Sequence, residues 1–342
     1  MRSLDKGHRR RRLPCAEYID GVLNSDRIKL AQAITVIESE LDSDLELAER
    51  ILDGVLPGVT NKPGRARRVG ITGTPGAGKS TFIDVLGLHL IRERGEAVAV
   101  LSVDPSSPIS GGSILGDKTR MERLAAEDRA FIRPSPSRGH LGGVARRTRE
   151  TMLLCEAAGY GNILVETVGV GQSETAVRSM TDFFLLLMIP RSGDELQGIK
   201  RGIIEMIDAI AINKADGDNV DAARRSQGEF RNALHLFPAA ADGWNPQVLT
   251  CSALNQEGIA EIWRLVLQHR EQQESSGFFA ERRRRQSLDW MRELVASGLE
   301  DSFRQDARVA EQLPSVSEAV KEGTLSPFHA ARKLLGIFRH VT

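Results

Sequence analysis

The stretch Gly73-Thr-Pro-Gly-Ala-Gly-Lys-Ser-Thr81 constrains the fold of this chain more than any other. It satisfies G-x-x-x-x-G-K-[ST]. The apolar run Val69-Gly-Ile-Thr72 leads in as a strand, and Thr81 to Ile91 leads out at helical spacing. In that context the loop is a nest for phosphate. Gly73, Gly76 and Gly78 let successive backbone N–H groups turn inward, and the positive end of a helix starting near Lys79 favours an anion. Thr74, Pro75, Ala77 and Thr81 complete the binding loop. Lys79 is placed to neutralise β- and γ-phosphates, and Ser80 to set its hydroxyl on a Mg²⁺ ion bridging the same oxygens.

Around this loop, apolar runs alternate with helical stretches: Val69–Thr72, Ala97–Val103, Ala130–Ile132, Ile163–Val165, Phe183–Ile189, Ala209–Ile212 and Val248–Cys251. Unbroken apolar strands separated by helices predict an α/β fold, a mostly parallel sheet covered on both faces. Ligands of such sheets collect at the carboxyl ends of the strands. Each remaining motif follows one of those ends.

The run Ala97–Val103 ends in Asp104-Pro-Ser-Ser-Pro108, and Asp117-Lys118 follows. A carboxylate there suits contact with Mg²⁺, direct or through its water shell, or orientation of the attacking water; a turn or helix cap is the bland alternative. The run Ile163–Val165 enters Glu166-Thr-Val-Gly169, the form of a D-x-x-G switch with Glu in the acidic position. Its carboxylate would hold the metal's water shell, while the Gly169 N–H bonds the γ-phosphate and lets go when it leaves. The run Ala209–Ile212 ends in Asn213-Lys214-Ala-Asp216, an N-K-x-D pattern. Asp216 can accept two hydrogen bonds from guanine N1–H and the 2-amino group, which adenine does not offer, so GTP is selected over ATP. The run Val248–Cys251 ends in Ser252-Ala253-Leu254, whose N–H groups would reach guanine O6.

Composition narrows the partners. Among 342 residues, Lys+Arg and Asp+Glu are equal at 46 each, so no global field recruits nucleic acid or an anionic membrane. Cys15, Cys155 and Cys251 are far apart and unpatterned, which fits packing thiols in a reducing compartment. No apolar run reaches membrane-spanning length, and the basic start of the chain lacks the apolar segment of a secretion signal. A cytoplasmic protein is expected.

Residues 1–64 are predicted to form a frayed tail and helices, with Ser25-Asp26 as a cap and a loop beginning at Pro57. Residues 65–270 form the nucleotide domain. Residues 271–342 form a helical arm broken at Leu325-Ser-Pro327, whose apolar positions suggest an oligomer interface. The basic run Arg282–Arg285 within it is expected to be a solvated helix face.

With these residues in place, the chain resembles the MeaB/ArgK/MMAA family of GTPases, a branch of the P-loop NTPases. The resemblance is strongest from Val69 to Asp216. It is carried by Val103-Asp-Pro-Ser-Ser107, Gly111 to Met121, Phe131-Ile-Arg-Pro-Ser135, Arg149-Glu-Thr-Met152, Val165 to Glu174 and Gly193-Asp-Glu-Leu-Gln-Gly-Ile-Lys200. It implies that Lys79, Ser80, Asp104, Asp117 and Glu166 are the phosphate, magnesium and hydrolysis residues, and that Gly193–Lys200 is an additional switch. It also implies GTP/GDP and Mg²⁺ as cofactors, a homodimer, and a cobalamin-dependent acyl-CoA mutase as partner. The GTPase would gate adenosylcobalamin loading and protect or reactivate that mutase. Two positions depart from the pattern, Gly161-Asn162 and Arg191-Ser192. Two alternatives stay open: an ATPase or kinase tied to basic amino-acid transport, and a nickel-delivery GTPase. The second needs Cys/His clusters, whereas the seven histidines are scattered.

Overall fold

The computed structural model describes residues 12–39, 41–60, 66–103, 121–134, 141–167, 173–190, 201–235 and 240–339. Seven strands form one sheet: β1 (Arg67–Gly73), β2 (Val98–Val103), β3 (Ala130–Arg133), β4 (Asn162–Thr167), β5 (Phe183–Met188), β6 (Ala209–Ile212) and β7 (Gln247–Thr250). Their order is β3-β2-β4-β1-β5-β6-β7, and every pairing is parallel. β1 is therefore central, with Ile71 opposite Glu166 of β4 and Gly73 opposite Leu187 of β5.

Alternation along the strands divides the core in two. Phe184, Leu186 and Met188 join an apolar cluster with the N-terminal helices, while Phe183, Leu185 and Leu187 join another with the helices Lys79–Arg92 and Ile259–Ser275. Both faces are covered, as unbroken apolar strands require. The N-terminal helices Cys15–Leu23, Arg27–Ile37 and Asp42–Thr60 bury Val22, Leu30, Ile34, Ile51 and Val55 in the first of these clusters. Asp26 caps the second helix by accepting from the N–H groups of Ile28 and Lys29.

Two local expectations are corrected. The loop expected from Pro57 does not begin there, because the helix Asp42–Thr60 runs through that proline. Pro57 and Asp53 are both exposed, so the carbonyl freed by the missing N–H meets water. Ile51, Val55 and Val59, four residues apart, keep the helix seated on the core. Second, Arg282 does not belong to a solvated face. Its guanidinium donates to the Asp182 carbonyl at 2.5 Å and to Asp242 Oδ2 at 2.8 Å, which turns one member of the basic run into a bracket on the amino edge of the sheet.

The chain divides into two compact units, Met1–Arg282 and Arg283–Thr342. Within the second, the helices Ala307–Lys321 and Pro327–Arg339 enclose Val309, Val316, Ala330 and Leu334, and Phe303 meets Phe338 edge-on at 5.5 Å. Asp306 caps the first of these helices, and Pro327 opens the second at the position where a missing N–H costs nothing.

Candidate functional site

The carboxyl ends of β1, β4, β6 and β7 bring the sequence motifs to one edge of the sheet. At the head of β1 the chain turns through Thr74 to Gly78 and enters the helix at Lys79. The turn needs glycine for two reasons. A Cβ on Gly73 would stand 2.2 Å from the Leu187 carbonyl oxygen, so only glycine lets β1 lie this close to β5. Gly76 and Gly78 have φ of 81° and 85°, left-handed values that turn the backbone back on itself. Space beside Gly76 is open, with nothing within 4 Å of a built Cβ, and Thr74 Oγ1 is buried without a protein partner. An open cradle with an orphaned hydroxyl and a helix N-terminus fits a phosphate group.

Lys79 Nζ donates to the carbonyls of Gly73 at 2.7 Å and Thr74 at 3.3 Å, folding the ammonium over the loop. Burial lowers its pKa, and the nearby charges of Glu166 and Glu174 push it back up. Ser80 Oγ lies 3.0 Å from Glu166 Oε1, and Glu166 is 4 % exposed. Hydroxyl and carboxylate are hard oxygen donors, so this pair suits Mg²⁺. Beneath them, Thr167 and Thr72 join hydroxyls at 2.9 Å across β4 and β1.

At the ends of β6 and β7, the Asn213 amide donates from Nδ2 to the Ala77 carbonyl at 2.8 Å and accepts the Ala253 N–H at 3.0 Å. Cys251 Sγ sits 3.6 Å from the same amide oxygen, and burial pushes its thiol up to about 12. Lys214 adopts φ of 60°, and its Cε comes 3.9 Å from a Cβ built on Gly78, so its stem lies along the phosphate loop. Ser252 Oγ hydrogen-bonds Asp216 Oδ2 and accepts the Asn255 N–H at 3.0 Å. Leu254 is 79 % exposed.

Of the residues expected from sequence, Gly73 to Thr81, Glu166, Asn213, Lys214, Asp216 and Ser252 to Leu254 lie along this edge. Asp104, Asp117, Gly169, Arg191 and the string Gly193–Lys200 lie outside the described residues. Asn162, one of the departures from the family pattern, sits at the opposite end of β4. There it bonds Arg67 and Glu96, away from the phosphate loop. Sequence reasoning missed Glu174, 1 % exposed in the first turn of the helix Ser173–Arg178, whose charge acts on Lys79. No spacing rule marks a glutamate there.

Among the described residues, a seven-stranded parallel sheet with a glycine nest at the head of its central strand defines a P-loop nucleotide-binding protein. The family model described as "Methylmalonyl Co-A mutase-associated GTPase MeaB" matches residues 30–308. The chain belongs to that family, and it is a GTPase that binds guanine nucleotide. It is 53 % identical over 313 residues to a Caulobacter vibrioides protein named as a GTPase, covering 92 % of this chain and 94 % of that one. It is 47 % identical to GTPase ArgK of Escherichia coli over 93 % of this chain and 95 % of the relative. Among solved structures it is similar to one called LAO/AO transport system kinase: TM-score 0.74, 40 % identity, coverage 95 % and 97 %.

Proposed function

We propose that this GTPase is a nucleotide-driven chaperone of a cobalamin-dependent acyl-CoA mutase, most directly methylmalonyl-CoA mutase. In this reading it gates adenosylcobalamin loading and protects or reactivates the mutase. Membership of the mutase-associated family across residues 30–308 is the observation that carries the reading. A mouse relative named methylmalonic aciduria type A homolog, 46 % identical over 325 residues, supports it.

In this reading one GTP lies along the carboxyl edge of the sheet. The N–H groups of Gly76 to Ser80 hold its phosphates, and Lys79 leaves the Gly73 carbonyl to meet the β- and γ-oxygens. A bound Mg²⁺ would supply charge neutralisation to the phosphates. Ser80 and Glu166 would hold it, with Asp104 as a further ligand or outer partner, and Asp117 would act with them in hydrolysis. Asp216, oriented by Ser252, reads guanine N1–H and the 2-amino group. Gly169 follows the γ-phosphate and releases when it leaves, and the segment Gly193–Lys200 reports that state to the mutase.

Residues 65–270 act as the GTPase domain and residues 271–342 as the dimerisation arm of a cytoplasmic homodimer. Leu288, Met291, Val295 and Leu299 are more than half exposed, at helical spacing along Phe278–Gln305, and an apolar stripe of this kind supports self-association.

The name of the 40 % identical transport-system structure favours a second reading, a nucleotide-dependent role in basic amino-acid transport. Among the described residues no helix is long and apolar enough to cross a membrane, so that role would need a separate membrane partner. Transfer of adenosylcobalamin to purified methylmalonyl-CoA mutase separates the two. Transfer should depend on this chain and on GTP, and nucleotide-independent transfer with no stable complex would contradict the chaperone reading.

A further inference from the structure

Along one flank of the molecule the helix Arg27–Ile37 faces β3 across a groove of about 760 Å³. The helix presents Arg27, Ile28, Ala31 and Thr35, which share one face at a spacing of about four residues. On the other side Phe131, Ile132 and Arg133 line the groove, three residues in succession. Side chains along a strand alternate between faces. Phe131 belongs to the apolar cluster on one face of the sheet and Ile132 to the cluster on the other, so a groove touching both runs along the edge of the strand. Among the described residues β3 ends the strand order and pairs with β2 alone; the Ala130 N–H is taken by the Glu127 carbonyl, and the outer N–H and C=O groups beyond it form an edge that no described strand pairs.

The charged side chains lining this groove are arginines, two of them already paired with carboxylates behind it. Arg12, Arg27 and Arg133 line it, and among the described residues no Asp or Glu does. Arg12 is held by Asp44 and Arg133 by Glu38, yet their side chains stay 34 % and 29 % exposed. Arg27 is exposed, and no ion pair engages it among the described residues. Beside it Ile28 is 69 % exposed, a bare apolar contact between cations.

We propose that this groove takes an acidic, extended peptide segment of a partner protein. The segment adds a strand to the open edge of β3, its carboxylates meet Arg12, Arg27 and Arg133, and its intervening apolar side chains cover Ile28. Main-chain hydrogen bonds to β3 supply affinity, and the arginines select the sign of charge. The chain's own first eleven residues are a poor occupant, because Arg2, Lys6, Arg9, Arg10 and Arg11 face only Asp5 in charge.

The test uses the full chain and the acetylated, amidated hexapeptide Glu-Val-Glu-Thr-Glu-Val carrying a fluorophore, with its Lys-for-Glu counterpart as control. Binding is read by anisotropy, and amide exchange is followed across Ala130–Arg133. Saturable binding of the acidic peptide is expected, at least about tenfold tighter than the lysine peptide and weakened at least about tenfold by Arg27→Glu, with slower exchange in β3. Arg27→Glu lies in an exposed first turn that tolerates acid, so folding and GTP hydrolysis should be unchanged. Absence of saturable binding would overturn the proposal. So would equal displacement by inorganic phosphate or oligothymidylate, or binding that leaves β3 exchange unaltered.

Discussion

Asn213 donates to the carbonyl of Ala77 across 2.8 Å, fastening the strand end that faces the base to the loop that faces the phosphates. The same amide accepts the Ala253 N–H, so one buried side chain sets the spacing of three loops. Asn213→Ala leaves both backbone groups unpaired, at a cost of about 2–5 kcal/mol for the two together. The melting temperature should fall, and calorimetry should show affinity for GTP and xanthosine triphosphate dropping together, because Asn213 spaces the loops that hold either nucleotide.

Gly73 and Gly76 should separate stability from binding. Gly73→Ala drives a methyl against the Leu187 carbonyl oxygen and pries β1 from β5, costing about 3 kcal/mol, the upper part of the usual range for overpacking. Gly76→Ala meets no atom within 4 Å and pays only for its left-handed φ, about 1–2 kcal/mol. Thermal melts should show the larger loss for Gly73→Ala. Titration with GTP should show Gly76→Ala binding poorly while still folded.

The hydroxyl–carboxylate pair of Ser80 and Glu166 predicts a metal phenotype. Glu166→Gln keeps the shape and removes the charge, so hydrolysis should slow about 10–100-fold and need more Mg²⁺, the scale expected when a group orienting a metal is lost. Chelation of Mg²⁺ should abolish turnover in the parent chain. A Mg²⁺ titration of the hydrolysis rate checks both.

His269 predicts an acid limit to stability. It is 2 % exposed, set edge-on to Phe183 and Trp244 at 5.1 and 4.9 Å, and faces Asp208 and Asp242 together with Arg178 and Arg282. Burial is the largest influence and holds its pKa below the ordinary 6.5. Asp208 opposes that shift, the two arginines add to it, and Asp242 opposes it. The unfolded chain therefore binds this proton first as pH falls. The His269 contribution is absent above pH 6.5 and destabilises progressively below it, until the folded pKa is reached. Melting curves from pH 7.5 to 5 should show this decline, and His269→Phe should flatten it.

Local features were legible in the sequence and long-range ones were not. The phosphate loop and the Asp26 cap are written in adjacent residues, and the apolar strands announce a sheet buried on both faces. The sequence places Asn213 in the N-K-x-D pattern, but its partner at Ala77 lies 136 positions away, so its further, bracing role follows only from strand order. Arg282 reads as one of four consecutive arginines, yet Asp182 and Asp242 capture it. Pro57 reads as a boundary because proline breaks isolated helices. Packing of Ile51, Val55 and Val59 outweighs that local preference.

The central claim is that residues from separate strand ends hold a single guanine nucleotide, and base exchange at Asp216 tests it most directly. In competition against labelled GTP with the Asp216→Asn chain, xanthosine triphosphate should become the preferred ligand, because the amide now donates to the second carbonyl of xanthine. Lys79→Ala in the same assay should lose both nucleotides. If GTP keeps its full advantage over xanthosine triphosphate in folded Asp216→Asn protein, the edge of β6 does not read the base and the single-nucleotide site is wrong.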